Sequence, residues 1–523
     1  MEVQPPRRIL KRPRPAQVVL AVFLEELANP VRPLRRGLGR GQLSFHFRAK
    51  IVEGLHSIRL KSSFAEKPQM LAQRKHANMG GVPQFFPAIL IFRALRMLAR
   101  MDVLDQDRSA NPANVTESIS GVYPLGFRVK NWIFCIVSLF ALAGCGTQES
   151  KPFPNAPSIK RLDGSTLTAA EIDATVTRLM ATAKVTGTGL AILNDGKIVY
   201  LKTYGFRDRK KALQLAPDSV MSAASFSKVA FAYMVMQLVQ EGVLDLDKPV
   251  YQYLRKPLPE YGDYRDLAGD DRYKKITSRM LLDHTAGFPN WRWFEDDHKL
   301  HIHFDPGSRF AYSGEGIMLL QLVIETVTHK PLEDLMQARV FQPLGMTRTS
   351  MVSHLRFESN SANGYDEQES SLGPQRRLQA QAAGSMKTTP ADFARFMQAV
   401  LQSQGLREET KDLMLGPQIA ILSKHEFPTL SAETTDENKS IRLSYGLAWG
   451  LYWTPYGKAF FKEGHDEGWR NYTVCFDDAK IGIVIMTNSS NGESIYKELL
   501  ETLLKNTYTP IEWEGFTPYN SPH

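Results

Sequence analysis

The segment that most constrains this chain is an eleven-residue apolar run, Val229–Val239, in which Gln237 is the one polar position. Such a run reads as a buried helix, and Gly242 lies where a helix C-cap belongs. Ser225-Phe226-Ser227-Lys228 stands immediately in front of it. Residues three apart share a helix face, so the Ser225 hydroxyl and the Lys228 amine can meet. A serine is a poor nucleophile at neutral pH unless a base takes its proton, and a partly desolvated amine can lose its own proton and be that base. The helix N-terminus adds free N–H donors and positive potential where negative charge develops. Together these features fit the chemistry of an acyl-enzyme serine hydrolase. The spacing alone is weak, because Ser494-Ile495-Tyr496-Lys497 repeats it in a C-terminal helix with a polar face.

The length, 523 residues, allows two or three domains, and the net charge of +9 raises the question of nucleic acid. The charge is unevenly placed. Residues 1–144 hold 22 basic and 9 acidic side chains, leaving 42 and 46 for residues 145–523. The larger part is mildly acidic, which argues against a nucleic-acid partner. Residues 1–124 are basic, rich in Arg and Pro, and lack sustained periodicity; they read as a disordered or non-native leader.

Residues 125–145 read as a signal segment. Arg128 and Lys130 precede an apolar run, Trp132–Ala143, that is too short to span a bilayer. It ends in Leu142-Ala143-Gly144-Cys145, which resembles a bacterial lipobox. That resemblance implies a lipid anchor on Cys145, and Gly146 behind it implies the outer membrane, facing the periplasm. No Met lies between Met101 and Met180, so a start codon now read as Val122, Leu125 or Val129 would put the signal at an N-terminus. Residues 146–162 read as a tether and 163–523 as the folded domain. Cys475, alone in an apolar strand, reads as a core residue, and no Cys/His cluster has zinc spacing. No metal and no cofactor is expected.

Within the domain, Thr168-x-x-Glu171 is a capping-box signature before a helix to about Ala183. Gly189–Leu193 and Lys197–Leu201, joined by Asn194-Asp195-Gly196, read as a hairpin. Residues 245–415 are mostly helical in pattern. Lys458–Glu463, Tyr472–Phe476 and Ile481–Thr487 read as three antiparallel strands, and a helix over 493–506 closes the chain.

Several blocks then fall in a recognisable order: Ser225-x-x-Lys228, Ile276-Thr277 through Asp283-His284-Thr285-Ala286-Gly287-Phe288-Pro289, Pro306-Gly307-x-x-Phe310-x-Tyr312-Ser313, Pro343-Leu344-Gly345-Met346, Ala383-Gly384-Ser385-Met386 and Gly464-His465. With these blocks the chain resembles the serine β-lactamase and penicillin-binding protein superfamily, in its class C β-lactamase-like branch, over residues 163–510. The resemblance implies an α/β fold of the α+β type: an antiparallel sheet flanked by helices, with a helical subdomain inserted after the Ser225 helix. It implies an ester or amide hydrolase of the β-lactamase, D-Ala-D-Ala carboxypeptidase or esterase kind, acting on a small-molecule or peptidoglycan-like substrate. The alternative is a catalytically silent, cell-wall-binding lipoprotein of the same fold.

By the same resemblance Tyr312 matches the tyrosine of the second motif. A phenol whose pKa is lowered by Lys228 could relay the Ser225 proton. The Asn that usually follows two residues later is Gly314 here; Glu315 either replaces its contact with the substrate amide or faces solvent. The third motif, Lys/His-Thr/Ser-Gly, is assigned to His465-Asp466-Glu467-Gly468, with His465 and Gly468 expected to bind substrate. The oxyanion hole is expected from the N–H groups of Ser225 and of the strand near Gly468. His284 is expected to be structural.

Overall fold

The structure is a computed structural model, and residues 155–521 are described. The basic leader, the signal segment, Cys145 and residues 146–154 of the tether lie outside the described residues. Order begins earlier than the sequence suggests. A short hairpin pairs β1 (Ser158–Lys160) with β2 (Thr166–Thr168), so the last residues assigned to the tether belong to the fold. Thr168 then caps α1 (Ala169–Ala183), its side chain accepting from Glu171 N while Glu171 reaches back to Thr168 N. This is the reciprocal cap that the sequence signals.

β3 (Gly187–Asn194) and β4 (Lys197–Asp208) form the expected hairpin. Asp195 and Gly196 both adopt positive φ, 49° and 67°, as a two-residue turn matched to strand twist requires. β5 (Leu213–Gln214) pairs on the outer side of β4. Late in the chain come β10 (Ile419–Ala420), β11 (Ser444–Tyr445), β12 (Gly450–Thr454), β13 (Gly457–Asp466), β14 (Trp469–Phe476) and β15 (Ile481–Thr487). These nine strands make one sheet in the order β10-β11-β12-β13-β14-β15-β3-β4-β5, every neighbour antiparallel. Four remaining strands form small pairs: β6 (Met221–Ser222) with β9 (Lys387–Thr388), and β7 (Gly364–Tyr365) with β8 (Ser371–Gly373).

The pairing of β15 with β3 brings the two ends of the domain together, and strand alternation then builds two cores. Leu190, Ile192, Ile483 and Ile485 face one side, where they meet α1 and α8 (Tyr496–Leu503). Ala191, Leu193, Val484 and Met486 face the other, where α2 (Phe226–Gln240) lies. Every residue of α2 from Phe226 to Leu238 is buried, as the unbroken apolar run demands, and Phe226 stacks on Phe393 at 4.1 Å. Between β5 and β10 the chain forms the helical insertion: α3 (Ser278–Leu282), α4 (Gly314–Thr328), α5 (Leu332–Met336), α6 (Pro390–Leu401) and α7 (Glu408–Met414), with several 3₁₀ turns. The expected α+β architecture is therefore present. The terminal helix is shorter than expected, because residues 492–495 form a 3₁₀ turn.

Among the described residues no helix is long and apolar enough to cross a membrane, and no group of His, Cys, Asp and Glu could hold a metal ion. Cys475 is buried in β14.

The two-core arrangement gives a stability prediction. Ile485→Ala, in the centre of β15, should cost ~2–5 kcal/mol, whereas Thr168→Ala, which removes one cap, should cost ~1 kcal/mol. Urea unfolding of both variants measures the difference.

Candidate active site

The site is built on the turn that leads into α2. Ala224 has φ +47°, a conformation that bends the chain sharply and leaves Ser225 at the N-cap position. Ser227 holds this turn: its Oγ donates to Ala224 O at 2.6 Å and accepts from Met386 N at 3.0 Å. Ala223 N donates to Met386 O at 2.9 Å, which ties the other side. Among the described residues the Ser225 N–H meets no backbone acceptor.

Lys228, one turn on, has its Nζ 3.0 Å from Ser225 Oγ and 2.6 Å from Ala383 O. It is 1% exposed. Burial, reinforced by the charge of Lys462, brings its pKa down to about 7 against the opposing pull of Glu463 and Glu426. An amine so placed can exchange a proton with a neighbouring hydroxyl near neutral pH. The matching pair near the C-terminus is different: Ser494 Oγ donates to Asn491 O and Lys497 is exposed.

Tyr312 comes from the loop before α4. Ser313 anchors that loop, its N–H donating to His284 Nδ1 at 3.2 Å and its Oγ to Pro289 O at 2.8 Å. His284 is buried, and burial together with Lys228 and Lys462 holds its pKa well below the ordinary value. It is thus a neutral acceptor that positions the motif. The Tyr312 ring lies between two lysines, with Lys228 Nζ 4.9 Å and Lys462 Nζ 4.5 Å from its centroid. Its Oη is fully buried. The expectation that cations lower its pKa is reversed. Burial first, then Glu463, Tyr445 and Glu426, push the phenol well above its usual value, outweighing the opposite effect of Ser225. Tyr312 is a protonated donor in this setting.

Lys462 went unassigned in the sequence. It is fully buried on β13 and paired with the Glu463 carboxylate. Burial opposes the Glu463 charge, but Lys462 outweighs it and holds that carboxyl below its usual range. Burial drives Glu426 and Glu514 the other way, well above the carboxylate range. Gly464 brings β13 against the serine turn, since a Cβ there would stand 2.8 Å from Ala223 O. Lys462-Glu463-Gly464 thus lies beside the serine turn, where the resemblance leads one to expect Lys/His-Thr/Ser-Gly.

This moves His465 and Gly468 out of their expected roles. Alternation turns the His465 side chain to the opposite face, where it rests on Phe516 with ring centroids 5.3 Å apart and lies 3.5 Å from Glu493. Gly468 sits in the β13–β14 turn with φ +77°, and its N–H donates to Ser490 Oγ. The backbone of His465 tells a different story. The hairpin closures at Thr454↔Gly457 and Asp466↔Trp469 make odd-numbered residues of β13 point their N–H and C=O toward β12. β12 stops at Gly450, opposite Phe461, so the backbone groups of Glu463 and His465 line an open edge beyond it.

Glu315 is not free to meet a substrate. Its side chain is 5% exposed and bound by Arg292, with Nη2 to Oε2 at 2.6 Å and Nε to Oε1 at 2.9 Å. The place of the missing Asn is filled instead. A Cβ on Gly314 would come within 2.6 Å of the Trp291 indole.

A family model described as beta-lactamase matches residues 172–504. The chain belongs to the beta-lactamase family. The esterase EstB of Burkholderia gladioli is 30% identical over 223 residues, 38% of this chain and 55% of that protein. The chain thus spans about half the length of that relative. The teichoic acid D-alanine hydrolase of Staphylococcus aureus is 23% identical over 325 residues, 60% of this chain and 74% of the other. Among solved structures, the octameric penicillin-binding protein homologue from Pyrococcus abyssi superimposes with a TM-score of 0.53 at 22% identity, covering 65% of this chain and 80% of that one. That likeness is one of fold.

Within this beta-lactamase-family chain, the exchange of Asn for Gly at 314 is coupled to Trp291. Gly314→Asn should therefore overpack the loop and cost ~1–3 kcal/mol, rather than create an amide contact. Thermal unfolding of Gly314→Asn beside Gly314→Asn/Trp291→Ala tests the coupling, with the second change restoring part of the loss.

Proposed function

We propose that this chain is a serine hydrolase that forms an acyl-enzyme on Ser225 and acts on esters in preference to β-lactams. The observation that carries the reading is the buried Lys228 amine, its pKa brought down to about 7 and its Nζ 3.0 Å from Ser225 Oγ. In this reading neutral Lys228 takes the Ser225 proton as Oγ attacks the carbonyl carbon. The oxyanion accepts from the N–H of Ser225 and from the N–H of His465 on the open β13 edge, which replaces the earlier assignment near Gly468. Protonated Tyr312 donates toward the departing alkoxide, and Lys228 returns its proton through the same group. Water then attacks the acyl-enzyme with the roles reversed. Every proton moved is held by Ser225, Lys228 or Tyr312, so the scheme draws on no cofactor.

The preference for esters rests on Gly314 and Trp291. A substrate amide finds no side-chain amide there, and a site without that partner loses most on substrates that depend on it. The relative named above as an esterase is in keeping with such a preference. The lipobox at Cys145 adds to the proposal a lipid anchor at the cell envelope.

A fluorophosphonate should label Ser225, and Ser225→Ala should abolish the label; absence of labelling in folded wild-type protein would favour the silent binding protein instead. Lys228→Ala and Tyr312→Phe should each slow acylation by ~10²–10⁴. The pH dependence has a definite sign. Lys228 works as the neutral amine, so the acylation rate should rise as pH passes about 7. Lys462→Met removes a positive charge that lowers the Lys228 pKa, so the rising limb should move to higher pH. Stopped-flow acylation by p-nitrophenyl acetate from pH 5 to 10 measures both.

A further inference from the structure

Beside Tyr312 the loop 291–295 presents an aromatic surface that the scheme above leaves unused. Trp291 packs against Gly314, two residues from Tyr312. Trp293 stacks on Trp291 with centroids 4.5 Å apart and planes at 11°, and Phe294 meets Trp293 edge-on at 6.1 Å. Trp293 and Phe294 remain 55% and 68% exposed. Exposed aromatic pairs on a loose loop need no explanation, but this loop is clamped. Arg292 gives three hydrogen bonds to the buried Glu315 carboxylate, from its N, Nε and Nη2, and a fourth from Nη1 to Asp263 O. At the other end, His303 Nε2 lies 3.0 Å from Glu295 Oε2. Gly314 N and Glu315 N both donate to Asn290 O, which joins the loop directly to the Tyr312 segment. A partly buried ion pair thus holds two large aromatic side chains in water, in continuity with the segment that carries Tyr312.

We propose that Trp291, Trp293 and Phe294 form a platform that binds a flat aromatic group of the ester substrate, and so set the specificity of this site. The proposal rests on the ester-hydrolase reading above. A flat apolar group laid on Trp293 would cover exposed ring surface and gain from stacking. A small ester would react without reaching it.

The test compares kcat/KM for ethyl benzoate, with its aromatic acyl group, and benzyl acetate, with its aromatic alcohol, each as a ratio to ethyl acetate. Trp293→Ala and Phe294→Ala are used because both side chains are largely exposed and removable without unpacking a core; circular dichroism checks the fold. At least one ratio should fall roughly 3- to 10-fold, through KM, in Trp293→Ala, and the ratio that falls identifies the acyl or the alcohol side. Both ratios unchanged would overturn the proposal. A second arm uses Ser225→Ala, which binds without turnover. Indole emission should be quenched saturably by the aromatic ester, and the added Trp293→Ala change should weaken that binding by a similar factor. If wild-type protein hydrolyses none of the three esters, the hydrolase reading fails by itself, and absence of saturable quenching in this arm would separately sink the platform.

Discussion

The structure depends above all on the burial of one amine without a counter-charge. Lys228 is enclosed, forms no ion pair among the described residues, and has another lysine nearby. Removing an ammonium from water disfavours its charged form strongly, and the group responds by shifting its pKa rather than by staying charged. The surroundings are arranged so that the shift stops near neutrality. Lys462 is paired with the Glu463 carboxylate, while burial pushes Glu426 and Glu514 toward their neutral forms. A fully ionised set of carboxylates here would hold Lys228 protonated and unable to accept the Ser225 proton.

The fold explains how such a set comes together from distant parts of the chain. The β15–β3 pairing closes one sheet from both ends of the domain and sets β13 alongside the serine turn. The helical insertion then returns Tyr312 and Ala383 to the same place. Ser227 and His284, neither of them reacting groups, hold the two loops by paired hydrogen bonds. Their burial makes the site part of the core rather than an addition to it.

What could be read from the residues was local. The Thr168–Glu171 cap, the Asn194-Asp195-Gly196 turn and the Ser225–Lys228 spacing each depend on neighbours within four residues, and each stands as expected. The misassignments were non-local or rested on a one-residue choice. Strand alternation decides whether Lys462 or His465 faces Ser225, and a shift by an odd number of residues exchanges the faces. Glu315 looked available because its partner Arg292 lies in another loop. The Tyr312 pKa was read from a neighbouring cation, whereas burial sets its direction. Trp291 carried no motif at all; the absent side chain at Gly314 was the signal that something else must fill that space.

The protonation state of Lys228 can be observed directly. Protein carrying ¹³C at lysine Cε, with the Lys228 resonance assigned through Lys228→Arg, can be titrated by NMR. The Lys228 Cε shift should pass its midpoint near pH 7, far below the ordinary lysine value of about 10.4. A Lys228 signal that stays in the ammonium position up to pH 9 would contradict it, and the base for Ser225 would then have to be another group.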